Sequence, residues 1–170
     1  MKNLISYEEI SKLARPCSTE QEMAEAMIAE AQRVEIKPRL GDALYLKLME
    51  ENLTEPYITL LNGGRWESDC RGPQLLTGIK TALAYYALAR IVRDGTIQAS
   101  TYGAVIKDDQ YSFEAERAER QRQYRELFSQ ADNYLAEAIR YITANCASFP
   151  EYVSQGRIRS NRTTVKILGK

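Results

Sequence analysis

The sequence predicts a mainly α-helical fold, a helical bundle with a long helix near its C-terminus. Apolar residues recur at helical spacing between 19 and 35, and a second such stripe runs from Tyr124 to Ile142. Between about 73 and 93, apolar residues leave little of the helix circumference polar, which is typical of a helix buried at the centre of a fold. A chain of 170 residues is within the usual range for one domain. We therefore expect the other helices to pack around residues 73–93.

Short helices are predicted in the N-terminal third. Ser6 precedes Glu9 by three residues, the spacing of a capping box, so a helix is expected over about 7–14. The next helix is expected over 19–35 and ends before Pro38, because proline cannot continue a helix interior. Two further short helices are expected before Asn62.

A glycine-containing loop is predicted between the short helices and the central helix. It contains Asn62-Gly63-Gly64 and Gly72-Pro73, but no phosphate-binding glycine motif. The only tryptophan, Trp66, lies in this stretch. We favour packing of Trp66 against the domain's own helices over the alternative, a surface anchor for a partner.

An excursion is expected over about 96–111, because β-branched residues surround Gly103 and a turn-like Lys107-Asp108-Asp109 follows. We interpret it as a short β-hairpin and as a candidate contact with a partner, through Tyr102, Val105 and Ile106. The last helix then begins after Ser112 and runs to about Asn145, with a charged opening that is expected to meet solvent or a polar partner.

The C-terminal residues 151–170 are predicted to form a basic, extended tail, distinct from a helical domain over 1–150. The tail has a net charge of +4 and the domain −4, although the whole chain is neutral. Three interpretations are open: a disordered solubilising end, a nucleic-acid-binding arm, or a strand that docks on an acidic neighbouring subunit, which we favour. The candidate interface residues in the tail are Arg157, Ile158, Arg159, Arg162, Val165 and Lys166.

The composition argues against an enzyme and against a metal or cofactor site. The chain has no histidine, the commonest general base and metal ligand near neutral pH. Cys17, Cys70 and Cys146 are too widely separated to suggest a zinc site. Carboxylate pairs such as Glu22 with Glu25 and Glu116 with Glu119 are best explained as parts of solvated helix faces. No catalytic, cofactor-binding or metal-binding residue is therefore assigned.

The sequence favours a soluble protein of a reducing cytoplasm. No apolar run of the kind found in secretory signals follows Met1 and Lys2, and the longest apolar run, 82–89, is far shorter than the roughly 20 residues needed to cross a bilayer. The odd number of cysteines also fits a compartment without structural disulfides.

The order of several segments resembles that of the head–tail connector, or adaptor, proteins of tailed double-stranded DNA bacteriophages, in the form associated with phages and prophages of Bacteroidetes-like hosts. The segments that carry the resemblance are Leu4-Ile5-Ser6-Tyr7-Glu8-Glu9-Ile10, Ile36-Lys37-Pro38-Arg39-Leu40-Gly41-Asp42-Ala43-Leu44-Tyr45, Gly78-Ile79-Lys80-Thr81-Ala82-Leu83-Ala84-Tyr85-Tyr86-Ala87-Leu88-Ala89-Arg90, Thr101-Tyr102-Gly103-Ala104-Val105 and the stretch from Tyr134 to Tyr152.

This resemblance implies a virion structural protein. A connector of this kind forms a ring of about a dozen copies of itself between the portal protein and tail or neck proteins, and DNA passes through the lumen without sequence-specific contact. The implied location is the head–tail junction of the virion, reached from the host cytoplasm during assembly, with no membrane contact.

The main alternative is a cytoplasmic helical adaptor or regulatory protein that binds one partner as a monomer or dimer. Oligomeric state separates it from a ring-forming connector. A third hypothesis, an enzyme that uses carboxylates with a divalent cation, rests only on the carboxylate pairs above and would require metal-dependent turnover.

Overall fold

Helices account for most of the described chain, which confirms the predicted mainly α-helical class. The computed structural model describes residues 2–68, 72–94, 97–100, 103–106 and 117–153, and for 97–100 and 103–106 it describes the backbone alone. The helices are α1 (Tyr7–Leu13), α2 (Gln21–Ala31), α3 (Lys37–Leu40), α4 (Asp42–Leu48), α5 (Tyr57–Asn62), α6 (Ile79–Asp94) and α7 (Arg117–Ala144). The strands are β1 (Gly64–Ser68), β2 (Gly72–Leu76), β3 (Ile97–Ser100) and β4 (Gly103–Ile106).

Helix α6 is the centre of the fold, as its apolar circumference predicts. Its buried residues lie on every side of the helix, and Leu83 and Tyr86 are completely buried. Helices α1 and α2 pack against it, and α7 packs along its length. Aromatic pairs join α6 to α7 edge to face, with ring centroids 5.0 Å apart for Tyr86 and Phe128 and 5.2 Å apart for Tyr85 and Tyr134.

The N-terminal helices follow the prediction except at one boundary. Helix α1 begins after Ser6, whose backbone N–H donates a 2.8 Å hydrogen bond to the Glu9 carboxylate. The second helix was expected to end before Pro38, and this boundary is wrong. A π-helical turn over Gln32–Ile36 follows α2 and leads into α3, so helical backbone continues to Leu40. Pro38 lies in the first turn of α3, where a missing N–H is tolerated.

The stretch predicted as a loop before α6 contains a β-hairpin. Strands β1 and β2 pair antiparallel, with Gly64 opposite Leu76 and Ser68 opposite Gly72. The predicted central helix therefore begins six residues too early, because residues 73–76 lie in β2. Leu75, Leu76 and Ile79 have a helix-like spacing in the sequence, but Gly78 has a φ of 93° and separates the strand from the helix.

The predicted excursion also contains a hairpin. Strands β3 and β4 pair antiparallel, with Ile97 opposite Ile106 and Ser100 opposite Gly103, which confirms the hairpin expected within 96–111. At the C-terminus the described chain continues past the predicted boundary at 150. The buried Phe149 and the partly buried Tyr152 pack on the core, and the Tyr57 hydroxyl donates a 2.7 Å hydrogen bond to Glu151. The predicted tail from 154 onwards lies outside the described residues.

Candidate interaction groove

The β1–β2 hairpin stands beside the C-terminal part of α7 and turns alternate side chains toward it. On β1, Trp66 and Ser68 are partly buried, whereas Arg65 and Glu67 between and beside them are exposed. On β2, Leu76 is buried and Leu75 is 75% exposed. This alternation follows from the period of two of a β-strand. One face of the hairpin therefore meets the body and the other faces solvent.

A groove of about 350 Å³ lies between this hairpin and the last turns of α7. We call it the hairpin groove. The hairpin contributes Trp66, Ser68, Gln74 and Leu75, and α7 contributes Glu137, Ile139, Arg140, Thr143 and Ala144. The volume is at the lower end of the range for small-molecule sites, and an open groove of this size accommodates a few side chains of a peptide.

The groove has an apolar wall and two opposite charges. Trp66, Ile139 and Ala144 supply the apolar surface, whereas Leu75, which pairs with the exposed Arg65, is on the solvent face of the hairpin. The Glu137 carboxylate accepts a 2.9 Å hydrogen bond from the Thr77 hydroxyl, which holds it at the edge of the groove, and Arg140 lies one turn further along α7. An apolar surface with a few fixed polar groups is typical of a binding site rather than of a structural cavity.

An aromatic row connects the groove to the place where the described chain ends. The Trp66 ring meets Tyr141 edge to face at 5.2 Å between centroids, Tyr141 meets Phe149 at 5.6 Å, and Phe149 meets Tyr57 at 5.2 Å. Trp66 thus packs against the domain's own helices, as favoured from the sequence, and also lines the groove. Val153, the last described residue, is exposed four residues after Phe149.

Burial and a nearby carboxylate raise the pKa of Tyr57, at the far end of this row. Desolvation and the hydrogen bond to Glu151 together raise the pKa of Tyr57 to about 12. The hydroxyl therefore stays protonated at neutral pH and continues to donate to Glu151. This contact fixes the last described turn of the chain against α5.

Two groups of charged side chains join helices of the bundle to one another, and the first of them contains a buried ion pair. Arg90 on α6 donates hydrogen bonds to Glu30 and, at 2.6 Å, to Glu35 in the π-helical turn. Only 7% of the Arg90 side chain and 8% of the Glu35 side chain are exposed. Burial raises the pKa of Glu35 although the hydrogen bond and charge of Arg90 oppose the shift.

The second group joins α3, α6 and α7. Arg39 and the Tyr86 hydroxyl both donate to the Asp132 carboxylate, and Arg39 also donates to the Tyr86 oxygen at 2.6 Å. Burial and the Asp132 hydrogen bond raise the pKa of Tyr86. These perturbed groups have their partners within the fold, which fits a structural role better than acid–base chemistry.

The described residues contain no cluster of three or more potential metal ligands. Glu22 and Glu25 are exposed on α2, in keeping with the solvated face expected for them, and Glu119 pairs with Arg122 at 2.7 Å. Glu116 lies outside the described ranges. Nor does any helix in those ranges combine the length and apolar character that crossing a bilayer requires.

The predicted interface residues are only partly within the described chain. Val105 and Ile106 lie on β4, where the backbone alone is described. The other predicted interface residues lie outside the described ranges: Tyr102, Arg157, Ile158, Arg159, Arg162, Val165 and Lys166. Sequence reasoning missed the hairpin groove, although the alternation of Arg65-Trp66-Glu67-Ser68 was a detectable strand signal.

A family model matches residues 36–162, three quarters of the chain, and its description is a family of unknown function, DUF6712. The chain belongs to the DUF6712 family. No curated protein and no solved structure matches it significantly. The DUF6712 match begins in the π-helical turn, after α1 and α2, and includes both walls of the hairpin groove. It extends nine residues past Val153, as far as Arg162, and so includes three arginines of the basic tail.

Proposed function

We propose that this DUF6712 protein is a subunit of the head–tail connector of a tailed bacteriophage or prophage. In this function about a dozen copies form a ring between the portal and the tail, with the DNA passing through the lumen. The resemblance in the order of segments suggests this role. The predominantly helical fold, with a long C-terminal helix packed on a central one, is compatible with it.

The observation that carries the proposal is the separation of charge along the chain. Residues 1–153 contain 18 basic and 23 acidic side chains, whereas residues 154–170 contain five basic side chains and no acidic one. A ring built head to tail needs two different, complementary surfaces on every copy. An acidic body and a basic tail on the same chain supply such a pair and favour association of one copy with the next.

The opening of α7 is a candidate for the other contacts that a connector needs. Arg117, Gln121, Arg122 and Gln123 are exposed there, and Arg122 pairs with Glu119 and Glu126 on the same helix. A helix face of this kind is suited to solvent or to a polar partner, as expected from the sequence. The portal or a tail component would be such a partner.

Oligomeric state and portal binding test the proposal. The purified full-length chain is examined by sedimentation velocity and negative-stain electron microscopy, alone and mixed with the portal protein encoded in the same genome. We expect closed rings, or ring formation on the portal. A chain that stays a monomer or dimer at all concentrations and does not bind the portal protein would contradict the proposal. That result would favour the alternative, a cytoplasmic adaptor protein. A portal from an unrelated phage is the control for non-specific binding.

A further inference from the structure

We propose that the hairpin groove is the docking site for the basic tail segment, residues 157–168, of a neighbouring copy. This proposal rests on the proposed function, because it assigns both sides of one ring contact. It identifies a binding site in the described body and its occupant in the same chain. Three features carry it: the surface of the groove, the pattern of the segment, and the position and length of the tail.

The groove and the segment are complementary in character. The groove offers apolar surface from Trp66, Ile139 and Ala144. In an extended segment, Val165 and Ile167 lie on one face and Lys166 on the other. Two aliphatic side chains therefore enter the groove while the lysine stays in solvent. The charges of Glu137 and Arg140 within the groove cancel. We therefore attribute the long-range attraction of the basic tail to the acidic body as a whole, and the close fit of the segment to the apolar wall of the groove.

The hairpin also offers main-chain hydrogen bonds. In the described ranges its sheet has two strands, β1 and β2, so each strand has one side that is not part of the ladder. Peptides that carry β-branched residues commonly add to such an edge, with alternate side chains in neighbouring pockets. The segment Thr163-Thr164-Val165-Lys166-Ile167 has this composition.

Position and length allow the contact between copies. The described chain ends at Val153, four residues after Phe149, which the aromatic row links through Tyr141 to Trp66. Seventeen residues follow, which span up to about 55 Å when extended, enough to reach the groove of an adjacent subunit. The DUF6712 match includes the groove and Arg157, Arg159 and Arg162, so this part of the tail belongs to the family pattern.

Trp66 provides a specific readout, because it is the only tryptophan and lines the groove. We expect its emission to shift to shorter wavelength and acrylamide quenching to fall as the full-length chain assembles at rising concentration. Deletion of residues 154–170 should abolish both changes. If the tail deletion leaves Trp66 emission unchanged at assembling concentrations, the groove is not the docking site. A shift that is independent of concentration but lost on deletion means that each tail occupies its own groove, which also contradicts the proposal.

A pair of matched variants separates the groove from the rest of α7. Ala144→Arg puts a large cation into the groove at an exposed position near the helix C-terminus, where a cation is tolerated. Ala136→Arg makes the same change at another exposed position of α7 that does not line the groove. We expect Ala144→Arg to weaken self-association by about tenfold or more and Ala136→Arg to leave it unchanged. Equal effects of the two variants would overturn the proposal.

A complementation experiment decides the matter without requiring rings. The Ala144→Arg chain has a tail but a blocked groove, and the chain lacking 154–170 has a groove but no tail. We expect each to sediment as a monomer and their mixture to give a heterodimer. Absence of the heterodimer overturns this docking assignment. If the heterodimer is absent but wild-type rings form, the connector function stands and the rings use a different interface. If the heterodimer forms but the wild type gives neither rings nor portal binding, the docking site stands and the connector function is wrong.

Discussion

Gly63 and Gly78 pack backbone against backbone at the base of the β1–β2 hairpin. A Cβ atom on Gly78 would lie 2.5 Å from the backbone nitrogen of Gly63, and one on Gly63 would lie 2.5 Å from the carbonyl oxygen of Leu76. Both residues have positive φ angles, of 86° and 93°. This contact joins the end of α5 to the start of α6 and fixes the hairpin that forms one wall of the hairpin groove.

We expect Gly63→Ala to be more destabilising than Gly41→Ala. Both glycines have nearly the same backbone conformation, with φ of 86° and ψ of 170° for Gly63 and φ of 82° and ψ of 157° for Gly41. Alanine is therefore strained at both, by roughly 1–3 kcal/mol. Only at Gly63 does the added methyl also meet backbone, which adds about 1–3 kcal/mol. Chemical denaturation measures the difference, and equal losses would show that the close contact is unimportant.

Leu83→Asp should unfold the protein or come close to it. Leu83 is completely buried in α6, where an unpaired carboxylate costs several kcal/mol against a total stability of about 5–15 kcal/mol. The matched control is Leu46→Asp, because Leu46 on α4 is 62% exposed and its replacement should change stability by about 0.5 kcal/mol or less. Thermal melting followed by circular dichroism at 222 nm measures both. Similar melting temperatures for the two variants would contradict a central α6.

Arg90→Ala should cost about 3–5 kcal/mol, because it leaves the buried Glu35 carboxylate without its cation. The control is Arg122→Ala on the exposed opening of α7, where the loss of the ion pair with Glu119 should be about 0.5 kcal/mol or less. Combining Arg90→Met with Glu35→Leu should recover much of the loss, since the remaining charge is then removed as well. Urea denaturation of the three variants tests this, and a double variant no better than Arg90→Ala would argue against an uncompensated charge as the cause.

Glu9→Gln should destabilise the protein at neutral pH and lose this effect in acid. Burial alone would raise the pKa of Glu9, but the hydrogen bond from the Ser6 backbone and the Lys80 ammonium lower it below its ordinary value of 4.5. A lowered folded-state pKa contributes stability that is present above the unfolded-state pKa and lost as pH falls through the folded-state value. The difference between wild type and variant should therefore be present at pH 7 and shrink as the pH falls through the lowered folded-state pKa of Glu9. A difference that is constant from pH 7 to pH 3 would show that ionisation of Glu9 does not matter.

Deleting residues 154–170 should leave the melting temperature nearly unchanged, because the helices whose apolar faces form the core all end before residue 154. Deleting residues 149–170 should cost roughly 3–5 kcal/mol, since it removes Phe149, which is 1% exposed and contacts Tyr57 and Tyr141. Calorimetry measures the stability of both truncated chains. The shorter deletion should also weaken assembly, as measured by sedimentation. Raised salt should weaken assembly of the intact chain, because exposed charges are screened within about 8–10 Å at physiological ionic strength; sedimentation at two salt concentrations measures this effect. A large loss of stability on the shorter deletion would place the tail in the core.

The sequence by itself determined the helical class, the central position of α6 and its packing with the second half of α7. These follow from hydrophobic periodicity, which is a local signal: a helix that is apolar on all sides must be covered by other helices. The same reasoning located the β3–β4 hairpin, because glycine and β-branched residues mark a turn between strands.

Only the tertiary structure decided the base of the β1–β2 hairpin, the π-helical turn at Gln32–Ile36 and the hairpin groove. Leu75 and Leu76 have apolar neighbours at helical spacing, so the local pattern favoured a helix, whereas both residues lie in a strand whose base packs through Gly63 and Gly78. Glu35 and Arg90 are ordinary surface residue types in the sequence, and they are buried because each is the other's partner across two helices. Contacts between residues distant in the chain depend on how the elements pack, and periodicity along one segment does not contain that information.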